Sequence, residues 1–209
     1  WQQLDDVIDH VYHFKDSQRG LRISVTFIDS GGHYTQEVYI RCRERKNKRV
    51  FAIKGKSGDG IPYTRQPTKV AVKNNKKITC WLYTLGVDAG KEIIMSNVKV
   101  QEPGAKYCHF PRGESYGYDS YYFNGLLSEK LELTQTRQGK RWAWVKIPGH
   151  ERNEALDCRN YAIAGFRSLD TDMEAVERRL KNLPEKTQQK KAAPTRTRRN
   201  NADQYFDEW

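Results

Sequence analysis

The chain has 209 residues, 37% of them hydrophobic and 30% charged, with a formal net charge of +11 and a pI of about 9.5. That length suits one fair-sized domain or two small ones. No apolar run approaches the roughly 18 residues that cross a bilayer, and the opening Trp1-Gln2-Gln3-Leu4 lacks the basic and apolar regions of a signal peptide. The positive excess favours a polyanionic partner, most often nucleic acid.

Leu4, Val7, Ile8 and Val11 fall on one stripe, so residues 3–14 read as a helix, with Asp5, Asp6 and Asp9 off the stripe. Asp16 to Gly20 is a turn. From Leu21 to Asp29, Ile23, Val25 and Phe27 alternate with polar residues at the period of a strand. Gly31 and Gly32 follow, then a helix from Thr35 to Arg45. A carboxylate therefore stands where a strand leaves its sheet, which is where open α/β sheets place their chemistry. An ordinary helix-capping Asp reads the same way.

Val50 to Ile53 is a buried-type strand, ended by Lys54 and a glycine-rich loop that contains Lys56. Val70–Val72 and Ile78–Leu85 are two strands. Asp88 precedes a helix from Ala89 that carries Lys91, Ile93 and Ile94. Tyr107–Phe110 reads as a short strand. A tyrosine-rich loop then leads to a helix over Phe123–Ser128. Lys130–Thr136 and Arg141–Ile147 flank Gln138-Gly139 as a hairpin. Residues 151–169 form the clearest helix, with Ala155, Cys158, Ala162, Gly165, Phe166 and Leu169 as a small-residue apolar stripe. Asp170 or Asp172 caps a last helix with Met173, Val176, Leu180 and Leu183 on one face, and Pro184 stops it. Residues 185–209 are too polar to bury a core and are expected to be disordered. They hold a basic tract, Lys186 to Arg199, and an aromatic-acidic end, Tyr205 to Trp209.

Several chemistries are excluded. Gly55-Lys56-Ser57 and Gly90-Lys91 lack the upstream glycine of a phosphate-binding loop, because Val50 and Leu85 occupy those positions. There is no Gly-x-Ser-x-Gly elbow and no His-Glu-x-x-His. Cys42, Cys80, Cys108 and Cys158 form no Cys-x-x-Cys pair, so they read as reduced thiols rather than a disulfide framework or zinc knuckle. Cys108-His109 would face opposite ways on a strand, and His10 and His13 have no further ligand pair.

The remaining constellation is carboxylate. Glu154, Asp157 and Tyr161 are spaced i, i+3, i+7 and share a helix face. Two acids one turn apart are tolerated with a cation between them or with Arg152 nearby, and Asp29 on a strand end could add an oxygen ligand. Two metal ions roughly 3.5–4 Å apart, held by carboxylates, activate water and stabilise the leaving oxygen in phosphodiester hydrolysis. Lys54 and Lys91 could add positive charge at the phosphate. A capped, salt-bridged helix start accounts for the same residues.

Ile28-Asp29-Ser30-Gly31-Gly32-His33 with Thr35-Gln36-Glu37-Val38-Tyr39 resembles the C-terminal nuclease part of lambda-type phage terminase large subunits. So do Ala52-Ile53-Lys54-Gly55, Gly86-Val87-Asp88-x-x-Lys91, Tyr122-Phe123-Asn124-x-Leu126, and Arg152-Asn153-Glu154-Ala155-Leu156-Asp157-Cys158 followed by Tyr161-Ala162. The matches keep the family's order from about Trp1 to Arg167. The resemblance implies a ribonuclease H-like α/β nuclease domain over residues 1–183, a mixed sheet flanked by helices, followed by a tail over 184–209. The domain would cut concatemeric double-stranded viral DNA with Mg²⁺ or Mn²⁺. Asp29 and Asp157 would be metal ligands. Asp88 and Glu154 would be further ligands or carboxylates behind them, with Asp88 and Lys91 a recurring pair. Lys54, Lys56 and Lys91 would contact phosphates.

In the family the first metal-binding Asp lies on a central strand that precedes the Trp-x-x-Leu-Asp segment. The chain, which begins without Met, is therefore expected to be a piece that lacks that acid, its first strands and the ATPase motor. An exposed sheet edge would be left behind. The implied partners are DNA, the terminase small subunit, the portal protein and, in the motor, further copies of the chain. No membrane is involved, and the implied location is the host cytoplasm. The alternative is a non-catalytic DNA-binding or assembly module.

Overall fold

The computed structural model describes residues 1–58, 60–73, 75–137 and 139–182. The tail expected after Pro184, with its basic tract and aromatic end, lies outside the described residues. No helix among them is long and apolar enough to cross a membrane.

Helix α1 (Gln2–Asp9) is shorter than its stripe predicts, because His10 turns extended and Val11 leaves the helix. Tyr12–His13 (β1) and Gly20–Leu21 (β2) pair as a small antiparallel ribbon. The strand expected from Leu21 forms only over Thr26–Asp29 (β3). Helix α2 (Thr35–Glu44) buries Val38, Tyr39 and Cys42. Next come β4 (Val50–Lys56), β5 (Thr68–Val72) and β6 (Asn75–Gly86). β4 runs past Lys54 because Lys54, Gly55 and Lys56 stay in register with Thr84, Leu85 and Gly86.

The sheet order is β3-β4-β6-β5, with the first three strands parallel and β5 antiparallel. Parallel neighbours need crossovers on the sheet faces, and α2 supplies the one between β3 and β4. Strand alternation then divides the core. Val50 and Ala52 face α2 and Ile8 of α1, while Ile53 faces the opposite layer with Leu85 and Val87. β3 is an edge strand, paired with β4 alone among the described residues.

The opposite layer is α3 (Val87–Val98) and α5 (Glu154–Ser168). They pack closely because of Gly90: a Cβ there would stand 1.9 Å from Asn160 Oδ1. The Asn160 amide donates to the Val87 carbonyl at 3.0 Å, and the Tyr63 hydroxyl donates to the Asn160 carbonyl at 2.6 Å. The buried face of α5 is therefore Leu156, Asn160, Ala164 and Gly165. This corrects the expected stripe: Cys158, Ala162 and Phe166 are exposed, and a polar Asn anchors the helix instead.

Tyr107–Phe110 is irregular rather than a strand. Phe110 packs edge-on against Tyr118, Tyr122 and Phe123, so ring contacts take the place of a ladder. Helix α4 (Ser120–Leu126) is capped by the Asp119 carboxylate, which accepts from the Tyr122 amide. β7 (Glu129–Thr136) and β8 (Gly139–Lys146) form the expected hairpin and join no other strand among the described residues. Helix α6 (Met173–Lys181) is capped by Asp172, which accepts from the Glu174 and Ala175 amides.

Candidate active site

The C-terminal ends of β3 and β4 and the first two turns of α5 meet at one corner. Asp29 closes β3, and its Oδ1 accepts the Gly31 amide at 2.8 Å. Behind it, the Ser30 hydroxyl donates to the Ile53 carbonyl at 2.9 Å and locks the turn to β4. Gly55 on β4 admits the α5 side. A Cβ there would stand 2.7 Å from Val87 Cγ1 and 3.6 Å from the Tyr161 hydroxyl. That hydroxyl is within hydrogen-bonding reach of the Asp29 carboxylate, and burial with the nearby acids pushes its pKa up.

Asp157 is half-buried on the face of α5 toward Asp29. Burial raises its pKa above the ordinary carboxylate value; Lys91 pulls it down, while Glu129, Asp29 and Glu154 push it further up. Asn153 sits between two of these acids. Its Nδ2 donates to Asp157 Oδ2 at 3.1 Å and to Glu129 Oε1 at 2.9 Å. Glu129 Oε2 in turn accepts from Lys91 Nζ at 2.6 Å, a buried ion pair with Lys91 only 8% exposed.

The sequence-derived residues thus divide. Asp29, Asp157 and Tyr161 converge. Lys54 and Lys56 are exposed at the same end of β4. Lys91 reaches the corner, but its charge is compensated by Glu129 within the protein, so it is not placed as a free phosphate contact. Glu154 is exposed and held at 3.2 Å by Arg152, which lowers its pKa. Asp88 is turned to the loop after β4, where its Oδ2 accepts the Gly58 amide at 2.8 Å. Glu129 escaped the sequence reading. The hairpin read from the sequence began one residue later, at Lys130, and nothing local announces a partner on another helix.

Asp29 and Asp157 offer hard oxygen donors whose charges oppose each other, the kind of site that suits a hard divalent cation. In number they are a partial set. Among the described residues no three His, Cys, Asp or Glu side chains form a ready metal cluster.

These features define a mixed α/β domain with an acidic corner at the carboxyl ends of its parallel strands, inside a basic chain. The chain belongs to the terminase large subunit gpA endonuclease domain family, whose model matches residues 1–179. It is similar to the terminase large subunit of Escherichia phage lambda, 29% identical over 180 residues, and to that of Enterobacteria phage P21, 28% identical over 170 residues. Each alignment covers 79% of this chain and 25% of the relative, so the chain spans about a quarter of their length. No solved structure matches.

Proposed function

We propose that this chain carries the DNA-cutting part of a phage packaging terminase. It would hydrolyse phosphodiesters of concatemeric double-stranded DNA, with Asp29 and Asp157 as its own ligands for Mg²⁺ or Mn²⁺. The observation that carries the reading is the meeting of those two carboxylates, from β3 and α5, in a member of an endonuclease-domain family. A bound divalent ion would there activate water and stabilise the leaving oxygen.

The chain's own groups prepare the corner. The Gly31 amide and the Tyr161 hydroxyl steady Asp29. Asn153 orients Asp157 by donating to its Oδ2. Lys54 and Lys56, exposed toward the carboxyl end of β4, would take the DNA phosphates.

We assign the domain a ribonuclease H-like fold, in which the open edge of β3 would receive a strand bearing a further acid. That assignment accounts for the partial donor set. The terminase small subunit, the portal protein and further copies of the chain in the motor would be its partners, and the host cytoplasm its location.

Nicking of supercoiled plasmid in Mn²⁺, beside Asp157→Asn and a chelator control, tests the reading. Metal-dependent nicking that the variant loses is the expected result. Should the chain stay silent, the same assay on a version extended upstream decides. Silence there as well would leave a DNA-binding or assembly module whose binding survives chelator and weakens steeply with salt.

A further inference from the structure

We infer that the β7–β8 hairpin is a duplex-DNA-holding ribbon that stands beside the acidic corner. The inference rests on the nuclease reading for its substrate, and its own evidence is separate.

The ribbon begins at the site. Its first residue is Glu129, the acid bonded to Lys91 and Asn153. Its base is closed by the Ile147 amide donating to the Ser128 carbonyl at 2.8 Å. From there eight paired residues on each strand, Glu129–Thr136 against Gly139–Lys146, extend roughly 25 Å without joining the main sheet.

One face of this ribbon is apolar and, away from Trp144, exposed. Leu131 lies opposite Trp144, and Leu133 opposite Trp142, so the four share a face. Trp142 is 58% exposed, Leu133 47% and Leu131 41%. Lys140 follows on the same face and Arg141 on the other. The ribbon's acids are already taken: Glu129 by Lys91, and Glu132 by Lys130 at 2.8 Å. Lys140 and Arg141 form no ion pair among the described residues. Arg141, Trp142 and Trp144 also line a cleft shared with Asp88, Lys91 and the Ser57–Gly58 loop, where the Trp144 indole N–H is buried without an acceptor among the described residues.

Charge decides the occupant. Protein interfaces are depleted of lysine, whereas this ribbon has uncompensated cations beside an exposed indole. A polyanion whose grooves also present apolar base edges, such as the thymine methyl, is the complement. A two-stranded antiparallel ribbon also has the width of the DNA major groove. The ribbon would therefore hold the duplex to one side of the scissile bond.

The test is binding of the whole chain to a labelled 30-base-pair duplex in chelator, read by fluorescence anisotropy across salt concentrations. Lys140→Ala/Arg141→Ala should weaken binding about tenfold or more and reduce the salt slope by about two. Trp142→Ala should weaken it about fivefold or more and leave the slope unchanged, since an apolar contact in the groove releases no counterions. Lys76→Ala/Lys77→Ala removes the same charge at the start of β6, far along the sheet, and should cost less than either.

Should the Lys140/Arg141 pair cost no more than that control, the inference is overturned. It is equally overturned if light scattering shows a self-associated chain that Trp142→Ala dissociates with DNA binding intact, because the ribbon is then a protein interface. The outcomes separate from those of the nuclease reading. A chain that binds duplex through the ribbon but never nicks retains this inference and loses the other. Plasmid nicking with an unchanged KM in the ribbon variants does the reverse.

Discussion

Asp5 and Asp157 are the same residue on the same kind of element, near opposite faces of one sheet, and their surroundings are inverted. Asp5 on α1 is buried against two guanidinium groups, Arg41 of α2 and Arg45 just past its end. Arg45 Nε donates to its Oδ1 at 2.8 Å, and Arg45 and Arg41 both reach its Oδ2. The hydrogen bond from Arg45 holds its carboxyl below the ordinary value. Asp157 is half-buried among other acids, and burial first, then Glu129, Asp29 and Glu154 against the pull of Lys91, pushes it the opposite way. A carboxylate surrounded by cations fastens two helices together. One surrounded by carboxylates raises the free energy of the fold, and such unfavourable charge clusters concentrate at functional sites.

The sharpest way to break the contrast is to remove the two acids in turn. Asp157→Asn should lower metal-dependent nicking by about 10²-fold or more, and Asp29→Asn likewise, if the corner is the reaction centre. Asp5→Asn should leave the nicking of the folded protein within a few-fold and lower the Tm by several degrees, since Arg41 and Arg45 lose their shared partner. A nicking loss at Asp5 equal to that at Asp157 would erase the distinction.

Gly90→Ala probes the scaffold between them. With Asn160 Oδ1 at 1.9 Å and Tyr63 Cε2 at 2.5 Å from the added carbon, either the Asn160 amide leaves the Val87 carbonyl or α3 and α5 part. The expected result is a cost of about 1–3 kcal/mol, read by chemical denaturation.

A subtler effect has opposite signs at the two acids. The folded pKa of Asp5 lies below its unfolded value. Its stabilisation is therefore whole above the ordinary carboxylate range and is lost as pH falls through the folded value. The folded pKa of Asp157 lies above its unfolded value. Its cost is full above the folded value and is relieved as pH falls through it. Asp157→Asn should accordingly raise the Tm by a few degrees at neutral pH in chelator, and the gain should shrink on acidification. A Tm that falls at neutral pH would contradict the electrostatic account.

The smallest effect is chemical. Burial pushes the Cys42 thiol up to about 12 and the Cys80 thiol up to about 11, while Cys158 is exposed. Partial burial and the neighbouring Asp157, Glu154 and Asp29 push the Cys158 thiol up as well, so a thiol reagent at pH 8 should label Cys158 slowly, yet ahead of Cys42 and Cys80, which stay unlabelled until the chain unfolds.

Much of this was legible in the chain because its signals are local. The α2 helix, the β5–β6 pair and the β7–β8 hairpin follow from periodicity and turn residues. Asp29 and Asp157 followed from a strand end, a shared helix face and a family resemblance. What escaped depended on distant partners. Glu129 meets Lys91 across 38 positions, and no pattern around either predicts the pair. The stripe on α5 was drawn through small residues, whereas the face is set by Asn160, whose polar contacts lie on α3 and at Tyr63. The strand expected at Tyr107 failed because three aromatic rings elsewhere in the chain offered Phe110 better packing.

β3 carries Asp29 on a one-sided ladder. The Thr26 amide donates to Arg49 and the Ser30 amide to Ile53, so alternation turns the Phe27 and Asp29 amides toward the uncovered side. Neighbouring peptide groups on one strand should then keep very different time, with the outward pair exchanging their protons for solvent deuterons long before Thr26 and Ser30 do. The edge is its own clock, and anything that settles along it should be read first as a slowing of those two amides.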